Sequence, residues 1–284
     1  MSSRREERVL GDRGLDRVLH DGAAWLEAHL AASRQHCFVI GLSGGIDSAV
    51  TALWAARAVG PSRLILASLP YGLRARPRFP ASHPDSLIDA TAVAARVPAA
   101  RFSVFDIARA VDAVAEGTGL ATALEASPDD ATLRRDLGNI KARIRAVHLR
   151  YLANRHEGLV LGTENRTEHL LGYFTIGGDE ESDLELLSPF FKREVRALAR
   201  ELGVPRTVLD KAPSADLFEG QTDEAELGYT YDAADAVLAL TEGDPSRRAL
   251  ALQAGLPIDV VDRVLGRVAA TAFKRQRKPE FRPS

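Results

Sequence analysis

Apolar positions follow two different spacings along the chain. Short continuous runs at 37–42 (CFVIGL), 64–70 (LILASLP), 101–107 (RFSVFDI) and 158–163 (GLVLGT) have the length and composition of buried strands. Between them, residues 15–33, 47–59, 85–97, 107–116 and 136–156 place apolar side chains at three- and four-residue intervals, which predicts helices. Further helices are expected at 165–172 and at 192–203, the second closed by Gly203. Residues 223–268 read as short helices between polar turns. The stretch 117–133 is polar and shows no clear period, and 73–84 is rich in Pro and Arg. Both are candidate lids ordered by a ligand. The ends, 1–12 and 279–284, are expected to be mobile.

Strands that alternate with helices predict an α/β fold with a parallel sheet flanked by helices. Such sheets bind ligands outside the carboxyl ends of their strands, near the point where strand order reverses. SGGIDS (43–48), LPYG (69–72) and the Gly-Thr ending at Thr163 all sit at predicted strand ends, so they should converge on one cleft. No internal repeat or linker interrupts the pattern, and residues 1–284 read as one domain.

Composition narrows the class. The 284 residues are 45% hydrophobic and 27% charged, ordinary values for a globular protein. No run of about 18 apolar residues is present, so no membrane partner is expected, and the first residues carry no apolar signal core. The expected location is the cytoplasm. A net charge of −2 gives no support for a nucleic-acid partner. The single cysteine, Cys37, excludes an internal disulfide and sits in an apolar run as a buried strand residue. The histidines have no metal-binding spacing. Lysine occurs only at 141, 192, 211, 274 and 278 among 37 basic residues, which marks these few compact charges for inspection.

The densest chemical signal is SGGIDS. Two glycines let the backbone approach an anion, and the helix that follows aims free amide groups at it. Ser43 and Ser48 add hydroxyls. Asp47 would repel phosphate unless a cation lay between them, and Mg²⁺ held by Asp47 and phosphate oxygens resolves the conflict. No Ser-His-Asp or Cys-His arrangement is evident.

This loop resembles the pyrophosphate-binding loop of the N-type ATP pyrophosphatases, the PP-loop superfamily with an adenine nucleotide alpha hydrolase-like, Rossmann-like fold. DLGNIKARIRAVHLRYLAN, LVLGTENRTEHLLGYFT, DKAPSADLFEGQTDEAELGYTYD and AFKRQRKP are each similar to segments of ammonia-dependent NAD synthetases, in family order. With residues 15–60 the resemblance spans most of 15–278. It implies a ligase that adenylates the nicotinate carboxylate of deamido-NAD with ATP, releases pyrophosphate, and amidates the acyl adenylate with ammonia. It further implies that Gly41, Leu42, Ser43, Gly44, Gly45, Ile46 and Ser48 hold ATP, with Thr163 on the nucleotide and Ser214 near the phosphates. By the same resemblance Asp47 and Glu168 bind Mg²⁺, and Asp47 and Lys192 serve catalysis. Arg143, Asp183, Phe273 and Lys274 would face the acid substrate. A homodimer is implied, with an interface near 141–155. No amidase segment is present in these residues, so free ammonia or a separate amidase would supply nitrogen.

The loop after GYFT departs from the family. Many members read close to TKYGDGGxDINP, whereas this chain reads TIGGDEESDLELLSP. Ile176 stands for a lysine, Glu180 and Glu181 for glycines, Glu185 and Leu186 for Asn-Pro, and Phe273 for a common histidine. Either the acidic turn is solvated, or the chain amidates a different carboxylic acid. A tRNA-thiolating or lysidine-type enzyme lacks support, because no cysteine pair or basic appendage is visible. Asp47, Glu168 and Lys192 argue against an inactive nucleotide-binding regulator.

Overall fold

The computed structural model describes residues 14–73, 77–211 and 222–276. Five parallel strands form its sheet: β1 (Cys37–Gly41), β2 (Leu64–Ser68), β3 (Arg101–Val104), β4 (Gly158–Gly162) and β5 (Leu184–Glu185), in the order β3-β2-β1-β4-β5. The two-residue period of the strands sorts their side chains onto two faces. Phe38, Ile40, Leu64 and Leu66 point to one face, and Cys37, Val39, Ile65, Ala67 and Val160 to the other. Both faces are covered, which is why β1 and β2 are apolar almost throughout. Edge strand β3 is only partly buried.

Helices α1 (Leu15–Ser33), α2 (Ile46–Val59) and α3 (Pro84–Ala94) cover the first face. Trp54 of α2 is buried there, its indole N–H donating to the Leu19 carbonyl at 3.0 Å. A Cβ at Gly22 would come within 2.2 Å of that ring, so α1 and α2 approach closely only because position 22 is glycine. Helices α4 (Ala108–Gly117), α5 (Leu120–Ala126) and α6 (Ala131–His156) cover the second face. Beyond β4 come α7 (Arg166–Leu171), then α8 (Lys192–Glu201), which packs beside α2, and α9 (Arg206–Leu209). Helices α10 (Asp223–Leu227), α11 (Tyr231–Thr241), α12 (Arg248–Gln253) and α13 (Ile258–Ala270) form a third apolar cluster that also buries Leu171 of α7. This helical cap stands beside the carboxyl end of β4.

The chain runs from β1 outward through β2 and β3, then returns to place β4 on the other side of β1. The carboxyl ends of β1 and β4 therefore flank the crevice where strand order reverses.

Two expectations are corrected. The stretch 117–133, which shows no clear period in sequence, is mostly helical: α5 buries Ala121 and Leu124, and α6 begins at Ala131, before the expected 136. Its start is fixed by the Asp130 carboxylate, which accepts from the amides of Thr132 and Leu133 at 2.8 and 3.0 Å. Strand β5 stands where the sequence predicts the end of an acidic loop. Two residues are too short to show a period, and only pairing with β4 makes them a strand.

Strand β5 also explains Glu185. Its carboxylate folds back over Gly162, where a Cβ would lie 1.8 Å from Oε1. It accepts from Ser182 Oγ at 2.6 Å and from the Glu164 amide at 3.1 Å. Burial pushes this acid up to about 8; the Ser182 bond opposes the shift, and the Glu164 charge adds to it. Because the folded value lies above the ordinary 4.5, the neutral acid favours the folded state. That stabilisation is complete below about pH 4.5 and is lost as pH rises through about 8. Glu185→Gln keeps an acceptor and removes the charge. Its stability relative to wild type should rise between pH 5 and pH 8.5 by about 1–3 kcal/mol, measured by urea unfolding. A pH-independent difference would contradict this assignment.

Candidate active site

The SGGIDS loop continues the line of β1 before it turns. The Leu42 amide still donates to the Ala67 carbonyl at 2.8 Å. Gly44 then adopts φ +82°, and a Cβ there would sit 2.3 Å from the Ser86 carbonyl oxygen. Both constraints require glycine. Gly45 caps α2 from extended backbone. The Gly45 amide donates to Ser43 Oγ at 3.1 Å, and Ser48 Oγ donates to the Gly45 carbonyl at 3.0 Å. The serines thus hold the loop in a tight turn. The first-turn amides of α2, which have no acceptor within the helix, open toward the crevice.

Asp47 lies in that first turn and meets two residues from distant segments. Lys192 Nζ donates to Asp47 Oδ2 at 2.5 Å and to Glu168 Oε1 at 2.8 Å. Asn165 Nδ2 donates to the other Asp47 oxygen at 2.8 Å. Asn165 also caps α7, accepting from the Glu168 amide at 3.0 Å, while Glu168 reaches back to the Asn165 amide. This capping box directs Glu168 toward the sheet.

Lys192 opens α8 and is 2% exposed. Its own amide donates to Thr167 Oγ1 at 2.9 Å, and that hydroxyl donates to buried Asp235 of α11. Asp235 also accepts from the Arg193 amide at 2.8 Å. The helical cap thereby fixes the start of α8. The Tyr231 ring lies 4.9 Å from the ammonium, with its hydroxyl on Asp223.

Electrostatics within the cluster are opposed and strong. Burial works against the charge on Lys192, but Asp47 and Glu168 outweigh it and raise its pKa. Burial pushes Glu168 up to about 8; Lys192 opposes this shift and Asp47 reinforces it. Two carboxylates converging on one cation form a hard-oxygen donor set. Among the described residues no group of three or more His, Cys, Asp or Glu could hold a metal alone. The pair suits Mg²⁺, which binds through one or two carboxylates and completes its shell with phosphate oxygens and water.

These groups border a cavity of about 890 Å³. Gly41, Leu42, Ser43, Gly45, Ile46, Asp47 and Ser48 line it with Thr163, Glu168, Lys192 and Lys274, whereas Gly44 is buried against Ser86. Lys274 Nζ donates to the carbonyls of Gly172 and Phe174 at 2.8 and 2.5 Å, and burial lowers its pKa. Arg143, Asp183 and Phe273 stand outside the cavity wall. Arg143 is exposed and donates to the Ile176 carbonyl at 3.2 Å. Asp183 is held by Arg150 and by the Val160 amide, each at 2.7 Å. Phe273 is 63% exposed. Ser214 lies outside the described residues, as do the segments 1–13 and 277–284.

The acidic turn divides. Glu180 accepts from the Gly177 amide at 3.1 Å and so braces the turn itself, while Glu181 is exposed at the cavity rim. Sequence reasoning missed Asn165, although N-R-T-E has the spacing of a capping box. It also missed Thr167, Asp235 and Tyr231, for which no local signal exists.

Known proteins resemble the chain over most of its length. The family model described as NAD synthase matches residues 18–278. The NH(3)-dependent NAD(+) synthetase of Chlorobium phaeobacteroides is 38% identical over 237 residues, covering 84% of this chain and 78% of that protein. A relative of the same name from Pyrococcus furiosus is 36% identical over 239 residues, covering 84% and 85%. Among solved structures, an NMN synthetase from Francisella tularensis matches with a TM-score of 0.76 at 29% identity, covering 95% of this chain and 100% of that one. An NAD+ synthetase from Burkholderia pseudomallei matches with a TM-score of 0.67 at 29% identity, covering 95% and 96%.

The ion cluster predicts how Lys192 contributes to stability. Lys192→Met leaves two enclosed carboxylates facing each other, which should cost about 3 kcal/mol in urea unfolding. Millimolar Mg²⁺ should restore part of that loss. A cost below about 1 kcal/mol, unaffected by Mg²⁺, would contradict the cluster's electrostatic role.

Proposed function

The chain belongs to the NAD synthase family, and from that premise we propose how its residues carry the reaction. It is a ligase that forms a C–N bond, amidating the nicotinate carboxylate of deamido-NAD with ammonia at the expense of ATP. A carboxylate is a poor acyl donor because its leaving group would be oxide. Attack of a carboxylate oxygen on the α-phosphorus of ATP breaks the bond to the α,β-bridging oxygen and expels pyrophosphate. The resulting acyl adenylate has AMP as its leaving group, and ammonia displaces it with loss of a proton.

The observation that carries this reading is the Lys192 ammonium held between Asp47 and Glu168 at the mouth of SGGIDS. The loop amides and the Ser43 and Ser48 hydroxyls receive the β- and γ-phosphates. Lys192 meets the negative charge that grows on the departing oxygen. Thr163, at the carboxyl end of β4, borders the nucleotide, and Lys274 stands on the acid-substrate side. Asp47 and Glu168 would hold Mg²⁺, which supplies Lewis-acid stabilisation of the phosphates when bound. Asn165 keeps the Asp47 carboxylate turned toward Lys192. No protein nucleophile is needed, because positioning and electrostatics suffice.

The relatives' names favour deamido-NAD over another acid. Bracing of the turn by Glu180 supports the same reading, since that side chain is engaged within its own loop. Arg143, Asp183 and Phe273 would contribute from an interface. Val147 and Tyr151 of α6, 62% and 61% exposed, support a homodimer formed through that helix. The nitrogen source would be free ammonia or a separate amidase, and the working compartment the cytoplasm.

The test is product analysis with ATP, deamido-NAD and ammonium. NAD, AMP and pyrophosphate should form in equal amounts, and ADP should not. Asp47→Ala should lower turnover at least about 1,000-fold while the protein remains folded by circular dichroism. Retention of full activity in that variant would refute the role of Asp47.

A further inference from the structure

The loop lacks the lysine that many phosphate loops carry, and Lys192 does not fully replace it. Lys192 is shared by two carboxylates, so the cluster as a whole offers no net positive charge to an anion. Pyrophosphate is multiply charged, so a further cation within reach of the loop would add to what Lys192 and a bound Mg²⁺ supply. The opposite wall of the crevice supplies one. Lys211 follows α9 and lines the same cavity as the loop. Its ammonium rests 3.0 Å from Asp89 Oδ2 and 3.3 Å from Ser86 Oγ, both on α3. Ser86 is the residue whose backbone presses against Gly44. Lys211 therefore stands one residue away from the bend of the phosphate loop.

The pair is asymmetric. Asp89 is 4% exposed and fixed in a helix, whereas the Lys211 side chain keeps 28% of its surface and opens toward the cavity. A lysine has a compact charge, three donors and a flexible stem, so it can exchange one oxygen partner for another without moving the backbone. We propose that Lys211 is a second phosphate-binding cation, held by Asp89 in this structure and able to exchange that partner for the β- and γ-phosphates of ATP or for pyrophosphate. Asp89 holds the ammonium at the cleft wall and competes with the phosphates for it, so that binding of pyrophosphate is limited. The assignment rests on the adenylation reading of the cleft and extends it to a residue that reading leaves unused.

Deleting Lys211 alone would strand the buried Asp89 carboxylate, so the informative comparison is made with that charge already removed. Asp89→Asn frees the lysine and should tighten magnesium pyrophosphate binding several-fold, read as Kd by calorimetry. Adding Lys211→Met to Asp89→Asn should weaken Kd by about tenfold or more relative to Asp89→Asn. Lys211→Arg in the same background should hold Kd within about threefold of Asp89→Asn, because a cation is retained. KM for deamido-NAD should stay within about twofold throughout, a pattern that a merely structural lysine would not produce. Equal pyrophosphate affinity in the Asp89→Asn protein with and without Lys211 would overturn the proposal while leaving the adenylation reading intact. A wild-type protein that neither binds pyrophosphate nor cleaves ATP to AMP would overturn both.

Discussion

An ammonium enclosed by two carboxylates organises this molecule. Lys192 joins Asp47 of the loop after β1 to Glu168 of the helix after β4, residues 145 and 24 positions away in sequence. Each charge would be costly to bury alone, and the arrangement is tolerable only because every member has partners. The Asn165 amide takes the remaining Asp47 oxygen, and the Tyr231 ring covers the ammonium. The same balance explains chemistry. In the proposed reading, a site that already gathers oxygen ligands around a cation would take Mg²⁺ and phosphate with little reorganisation when charge develops.

The fold serves that cluster through its topology. Reversal of strand order at β1 and β4 leaves a crevice at their carboxyl ends, with the starts of α2 and α7 at its base. Glycine matters where another group presses on the backbone: at Gly44 against the Ser86 main chain, and at Gly162 beneath the Glu185 carboxylate. The helical cap has a separate apolar core, yet it reaches the site through Asp235, which grips Thr167 and the start of α8. Placement of one lysine thus depends on three packed layers.

The loop side of the cavity is legible in the sequence because its elements are local. SGGIDS combines strand end, turn and helix start in six residues, and GTENRTE carries its own capping box. The parallel sheet followed from runs buried on both faces. What escaped was set by distant contacts. Helix α5, LATALEA, is only seven residues long, too short to show a period until it packs against α4 and α6, and β5 exists only through pairing. Asp235 and Tyr231 look like ordinary helix residues until tertiary structure brings them to Lys192. Arg143, Asp183 and Phe273, named by resemblance, lie outside the cavity wall of this chain, because Asp183 is spent on Arg150 and Val160 and Phe273 faces outward. Glu185 also eluded a reading by type: an acid in a family Asn position is buried over Gly162 rather than aimed at a substrate.

A cluster of Asp47, Lys192 and Glu168 that supports acyl-adenylate formation must also hold pyrophosphate beside the adenylate. ATP–pyrophosphate exchange in the absence of ammonia tests this directly. Labelled pyrophosphate should enter ATP only when deamido-NAD is present, and Lys192→Met should abolish the exchange. Absence of exchange in a wild-type enzyme that turns over, with ADP formed instead of AMP, would contradict this role of the cluster.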